Sequence, residues 1–179
     1  MLTITIPGKE MFNEKTGEFF STKEQTIQLE HSLVSLSKWE SKWNKAFLTK
    51  EPKTPEQVLD YIRCMTITQN VNPLIYNNLT EENIQAINEY IEAPMTATVF
   101  YDNSKKTNNE TVTSELIYYW MIALQIPMEC QRWHLNRLLT LVRVCNIKNT
   151  PPKKMSKKDI MSRNAALNAA RRSKFNSKG

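Results

Sequence analysis

The chain has 179 residues, 40% of them apolar, and a formal charge of +6, which allows one domain plus an appendage or two small domains. Its three glycines, Gly8, Gly17 and Gly179, lie far apart, and this excludes the glycine-dense loops of Walker-type and dinucleotide-binding enzymes. Cys64, Cys130 and Cys145 are too few and too widely spaced for a disulfide framework, and no run approaches the roughly eighteen apolar residues of a membrane span.

The first predicted element is a strand. Residues 2–6, Leu-Thr-Ile-Thr-Ile, alternate apolar and polar side chains until Pro7-Gly8 ends the pattern. Met11-Phe12 and Phe19-Phe20 flank the turn-forming residues 13–18, which predicts a β-hairpin. Thr26, Ile27 and Leu29 extend it as a third short strand or lead into the next helix. The N-terminus has no basic stretch followed by an apolar run, so no signal peptide is expected and the compartment reads as cytoplasmic.

Over residues 31–47 the period turns helical. Leu33, Leu36, Trp39 or Glu40, Trp43 and Phe47 recur at steps of three and four, with Lys38, Lys42 and Lys45 outward, and the aromatic stripe reads as core. Thr54-Pro55-Glu56-Gln57 combines an N-cap, proline at the first helical position and Gln three residues after the cap. Val58, Ile62 and Met65 are that helix's expected inner face. Asn72-Pro73 opens a short turn. Thr80 then caps a helix with acids in its first turn and Ile84, Ile87 and Ile91 on one side, and Pro94 stops it. Residues 95–101, MTATVFY, are predicted to form a strand against the N-terminal hairpin, and residues 102–111 a mobile polar loop.

Residues 113–147 are predicted to be the centre of the fold, as two buried helices meeting at Pro127. Leu116, Ile117, Trp120, Met121 and Leu124 share one face of the first, behind an N-cap at Thr113. Leu135, Leu138, Leu139, Val142 and Cys145 repeat the spacing in the second, opposite Arg132, Asn136, Arg137 and Arg143. Proline suits the first turn of that second helix. Trp120 and Trp133 are expected inside, as are Trp39 and Trp43.

After Asn149 the composition changes. From Lys148 to Gly179 ten Lys or Arg face one acid, Asp159, so the tail carries +9 and the remaining residues −3. Residues 150–154, with two consecutive prolines, predict an extended linker. Ser156 to Asp159 has capping-box form and precedes an Ala-rich helix with a thin apolar stripe of Ile160, Met161 and Leu167.

The expected fold class is therefore mainly α with a small N-terminal antiparallel β-sheet (α+β). A compact body spans 1–147, with a β-hairpin region over 2–30 and a helical core over 31–147. A basic C-terminal linker and helix span 148–179.

Candidate chemistry is sparse. Cys130 and His134 are four apart on a helix, but a zinc site needs three or four ligands and no others stand in a matching spacing. Glu129 with His134, or Asp60 with His31, can be drawn as acid–base pairs, although neither belongs to a nucleophile motif. No catalytic residue, cofactor or metal ligand is assigned. The basic arm is the partner-binding candidate, through Lys153, Lys154, Lys157, Lys158, Arg163, Arg171, Arg172 and Lys174. Only Phe175 is available there for base stacking, which favours an acidic protein surface over nucleic acid.

Four stretches, HSLVSLSKWESKWNKAFL, YIEAPMTATVF, ELIYYWMIALQIPMECQRWHLNRLLTLVRVCNIKN and PPKKMSKKDIMSRNAALNAARRSKFNSKG, resemble a family from the tail modules of long-tailed bacteriophages and prophages, similar to tail assembly chaperones. The resemblance implies a non-enzymatic assembly role in the host cytoplasm. The body would bind the helical tape-measure protein, tail-tube subunits would be recruited, and the arm would dock on a second, acidic partner. A homo-oligomer is compatible with it. Two further readings stand beside it: a structural virion protein at the head–tail connector or tail tube, and nucleic-acid binding through the arm.

Overall fold

The computed structural model describes residues 1–13, 18–100, 111–150 and 156–176. It divides into two compact units, Met1–Asn146 and Ile147–Gly179. The chain is mainly helical with a small antiparallel β region at the N-terminus, the α+β class its sequence implies.

Four strands form two successive antiparallel ladders. β1 (Leu2–Ile6) pairs with β4 (Gln25–Leu29), and β2 (Glu10–Asn13) pairs with β3 (Glu18–Ser21). The register Ile4↔Ile27 puts Ile4, Ile6, Ile27 and Leu29 on one buried face. Thr5 and Thr26 meet on the other face, their hydroxyls 2.9 Å apart.

Between the ladders Pro7–Lys9 runs beside Thr22–Glu24. The Thr22 N–H donates to the Lys9 carbonyl, and Asn78 donates to both the Pro7 carbonyl and the Thr22 hydroxyl. A Cβ on Gly8 would lie 2.4 Å from the Thr22 carbonyl oxygen and 2.9 Å from the Glu24 nitrogen. Both are backbone atoms, so the strands would have to part. Gly8→Ala is expected to destabilise the body by about 1–3 kcal/mol in urea unfolding; an unchanged midpoint would show that the crossing is not tight.

Helix α1 (Leu33–Trp43) separates two cores. Ser32 caps it in a reciprocal box with Ser35, and Asn44 ends it in the left-handed conformation at φ 51°. Trp39 joins the core under the β1–β4 ladder, with Tyr61, Ile62, Met65, Ile75, Tyr76, Ile87 and Tyr90. Leu33 and Leu36 face the other, with Ile117, Met121, Ile126, Leu135, Leu138 and Val142. Helix α2 (Pro55–Met65) starts at the Thr54 box, and α3 (Glu81–Glu92) starts at Thr80 with Asn83 closing its own box. A 3₁₀ turn over Pro73–Asn78 joins α2 to α3. Helices α4 (Ser114–Ala123) and α5 (Leu135–Asn149) build the second core. Helix α6 (Lys157–Phe175) lies in the second unit.

The structure corrects several sequence expectations. Residues 95–100 form no strand: Met95 is left-handed at φ 49°, and the Asn136 amide holds the carbonyls of Ile91 and Ala93 instead. Tyr101 lies outside the described residues. Of the two roles open to Thr26, Ile27 and Leu29, the strand is the one taken, and its partner is β1. Nor does the second central helix start at Pro127. Gln125 is left-handed, Met128–Arg132 is a 3₁₀ turn, and His134 bridges to Ser32, so helical phase restarts only at Leu135. Val58 turns outward, 40% exposed, while Gln57, Asp60 and Tyr61 face inward. Of the four tryptophans only Trp39 is fully buried; Trp43, Trp120 and Trp133 are half-buried. The expected turn at 14–17, most of the loop at 102–111 and the linker prolines lie outside the described residues.

Candidate functional site

Of the eight basic residues singled out in the arm, Lys153 and Lys154 lie outside the described residues, and the other six sit on α6. The Ser156 hydroxyl accepts from the Asp159 N–H at 3.1 Å, and Asn176 closes the helix in the left-handed conformation. Arg172 and Lys174 occupy the last turn, where the helix dipole favours cations. The result is a 19-residue helix with six bases, one acid and no buried residue. Its apolar side chains Ile160, Met161, Leu167 and Phe175 are all exposed. Residues 160, 163, 167, 171 and 174 fall at helical spacing, so Ile160 and Leu167 share one face with Arg163, Arg171 and Lys174.

The first unit carries a groove between α2 and α3 of about 210 Å³, lined chiefly by Phe47, Val58, Ile62, Ile84, Ile87 and Ile91. Lys53 closes one wall, its ammonium 4.4 Å from the centre of the Phe47 ring. Beyond Ile84 and Asn88, the same helix presents Glu81, Glu89 and Glu92 to solvent. α3 has four acids and no base. Sequence reading missed this site because it treated Val58 and the three isoleucines as closed core. The available signal was an isoleucine stripe on a helix with no basic residue.

The chain's two histidines meet inside the first unit, with ring centres 5.1 Å apart. His31 and His134 are brought together by the Ser32–His134 bridge and by the Leu135 N–H, which donates to the His31 carbonyl at 2.7 Å. The Asn136 N–H donates to His134 Nδ1, so Nε2 carries the proton and donates to the Tyr90 carbonyl at 2.9 Å. His31 Nδ1 lies 2.7 Å from the Tyr61 hydroxyl. Burial, and then the neighbouring His134, pull the His31 pKa down to about 4, and burial lowers His134 as well. Above them the Tyr90 hydroxyl donates to Glu30 at 2.6 Å, and the other Glu30 oxygen meets the Met1 amine at 3.1 Å.

The acid–base pairs drawn from the sequence are not made. Asp60 takes Lys42 and the Trp43 indole instead of His31. Burial pushes its carboxyl up, but those two donors together with the charges of Lys42 and Arg63 outweigh burial and hold it low. His134 bonds Tyr90 and Asn136 rather than Glu129. Cys130 is buried, and burial raises its thiol pKa. Among the described residues no three His, Cys, Asp or Glu side chains converge, and no helix is long and apolar enough to cross a membrane. Both histidines are thus hydrogen-bonded inside the first unit, and α6 and the α2–α3 groove are two exposed surfaces that carry apolar side chains. Comparison with family models, curated proteins and solved structures finds no match.

Proposed function

We propose that the chain is a non-enzymatic assembly factor from the tail module of a long-tailed bacteriophage, a tail assembly chaperone acting in the host cytoplasm on the tape-measure protein. One observation carries the reading. A capped 19-residue helix exposes every residue it has, including four large apolar side chains. A helix that only solubilised the chain would have no use for an ordered apolar stripe, whereas a docking helix needs both the stripe and the charges that steer it. The resemblance of the four quoted stretches to phage tail-module proteins supplies the biological setting. The docked surface is an acidic protein face, because two apolar side chains among three cations on one helix face suit a protein groove better than a phosphate backbone.

The test is mass spectrometry of proteins captured by the tagged chain from cells producing the phage, alongside the same measurement on purified particles. Tape-measure protein in the capture, and none of this chain in particles, is the expected result. Reversing Lys157, Lys158, Arg163 and Arg171 to Glu should cut capture of the second, acidic partner about tenfold or more and leave tape-measure protein in the capture. Ring-like stoichiometry in particles would replace this reading with that of a virion component. Nucleic acid in the eluate, with affinity falling steeply with salt, would replace it with phosphate binding by the arm.

A further inference from the structure

We infer that the chain self-associates, with the α6 helix of one copy lying against the α2–α3 groove of a second copy. The inference does not need the phage reading, since it concerns only this chain's own surfaces.

Two surfaces specify each other. On the groove side, Ile84 and Ile91 stand seven residues apart along α3, both half-exposed. On the helix side, Ile160 and Leu167 stand seven apart along α6, both exposed. Each pair spans about 10.5 Å of helix, so the two apolar steps match in length. The groove is too small to swallow a helix but has room for aliphatic side chains reaching in from one laid along its edge.

Charge decides which kind of helix. Glu81 and Glu92 flank the Ile84–Ile91 edge, on a helix with four acids and no base. Arg163, Arg171 and Lys174 flank Ile160 and Leu167. An acidic helix, an anionic lipid surface or a phosphate backbone would meet repulsion on α3. A basic amphipathic helix would meet apolar contact and opposite charge together. Lys53 on the opposite wall repels the same cations and so turns the basic edge toward α3. An acidic partner for α6 would compete with the second copy for the same face.

The experiment is light scattering and sedimentation of the purified full chain across a concentration series. Wild type is expected to dimerise, more weakly at high salt because exposed charge pairs are screened. Arg171→Glu with Lys174→Glu should weaken association about tenfold. Glu81→Lys with Glu92→Lys should do the same with little change in fold, since one reversal opposes the α3 dipole and the other favours it. All four changes in one chain should restore association. A chain that stays monomeric at every concentration would overturn the inference. So would self-association that neither reversal moves, or a loss that the combined variant fails to rescue. Capture of tape-measure protein is a separate readout, so this proposal and the assembly reading can fail independently.

Discussion

Between pH 7 and pH 4 the body is expected to lose about 3 kcal/mol of stability through His31. Unfolded histidine titrates near its ordinary value of 6.5, while His31 in the fold takes a proton only at about 4. Across that window the unfolded chain binds the proton and the folded chain does not. The contribution is therefore fully present above about pH 6.5 and is lost as pH falls toward 4. His134, also lowered, adds in the same direction.

The physical cause is a crowded, dry site. The titratable groups facing His31 and His134 are Tyr61, Tyr90, Glu30 and the Met1 amine. Glu30 is already shared by the Tyr90 hydroxyl and the amine, so it cannot freely compensate a new imidazolium. Asp60 contributes little to the window, because a lowered carboxyl starts to lose its stabilisation only near its ordinary value of 3.8 and loses most of it below that. Urea midpoints measured from pH 7 to pH 4 should fall by about 1–2 M. The His31 ring protons should titrate near pH 4 by NMR, and a ring titrating near 6.5 would remove the basis of this prediction.

Glu40→Ala is expected to cost about 3 kcal/mol or more, a fall in Tm of about 10 °C for a unit of this size. Glu40 is buried near the C-terminal end of α1, and its two carboxylate oxygens accept from different places. One takes the Phe47 N–H at 2.8 Å and the other takes the Ser114 N–H at 2.7 Å. The first fixes the turn that stacks Phe47 on Tyr61, their ring centres 3.9 Å apart. The second meets the N-terminus of α4, where orphan amides and the helix dipole both favour an anion. Alanine strands a buried donor at Ser114 and a part-buried one at Phe47, and a stranded donor costs more than a formed bond contributes. Glu40→Gln keeps the volume and one acceptor, so it should cost about half as much. Amide exchange at Ser114 and Phe47 should accelerate in both variants, most in the alanine. Equal stability of Glu40→Ala and wild type would rule the carboxylate out as the tie between α1 and α4.

Local signals were legible wherever the chain satisfies itself. The caps at Thr54, Thr80, Thr113 and Ser156 stand where the sequence puts them, because a cap needs only the first turn of its own helix. Residues 2–6 form a strand with Ile4 and Ile6 inside, as alternation requires. The same local logic misplaced residues 95–101. Their composition favours a strand, but β1 already has β4, and Asn136 holds the backbone after α3. Propensity yields when no partner edge is available.

The sequence by itself determined the class, the helix starts at Thr54, Thr80, Thr113 and Ser156, most of the periodic faces and the separation of a slightly acidic body from a basic, capped helix. These follow from spacing, side-chain branching and charge, which act over a few residues. Only the tertiary structure decided that α1, and not the stretch over 113–147, lies between the cores, with Trp39 on one side and Leu33 and Leu36 on the other. It also paired the two histidines, buried Glu40 and turned Val58 out to open the α2–α3 groove. Those outcomes depend on which surfaces are left when distant elements compete for the same apolar area and the same hydrogen bonds. That competition has no period along the chain.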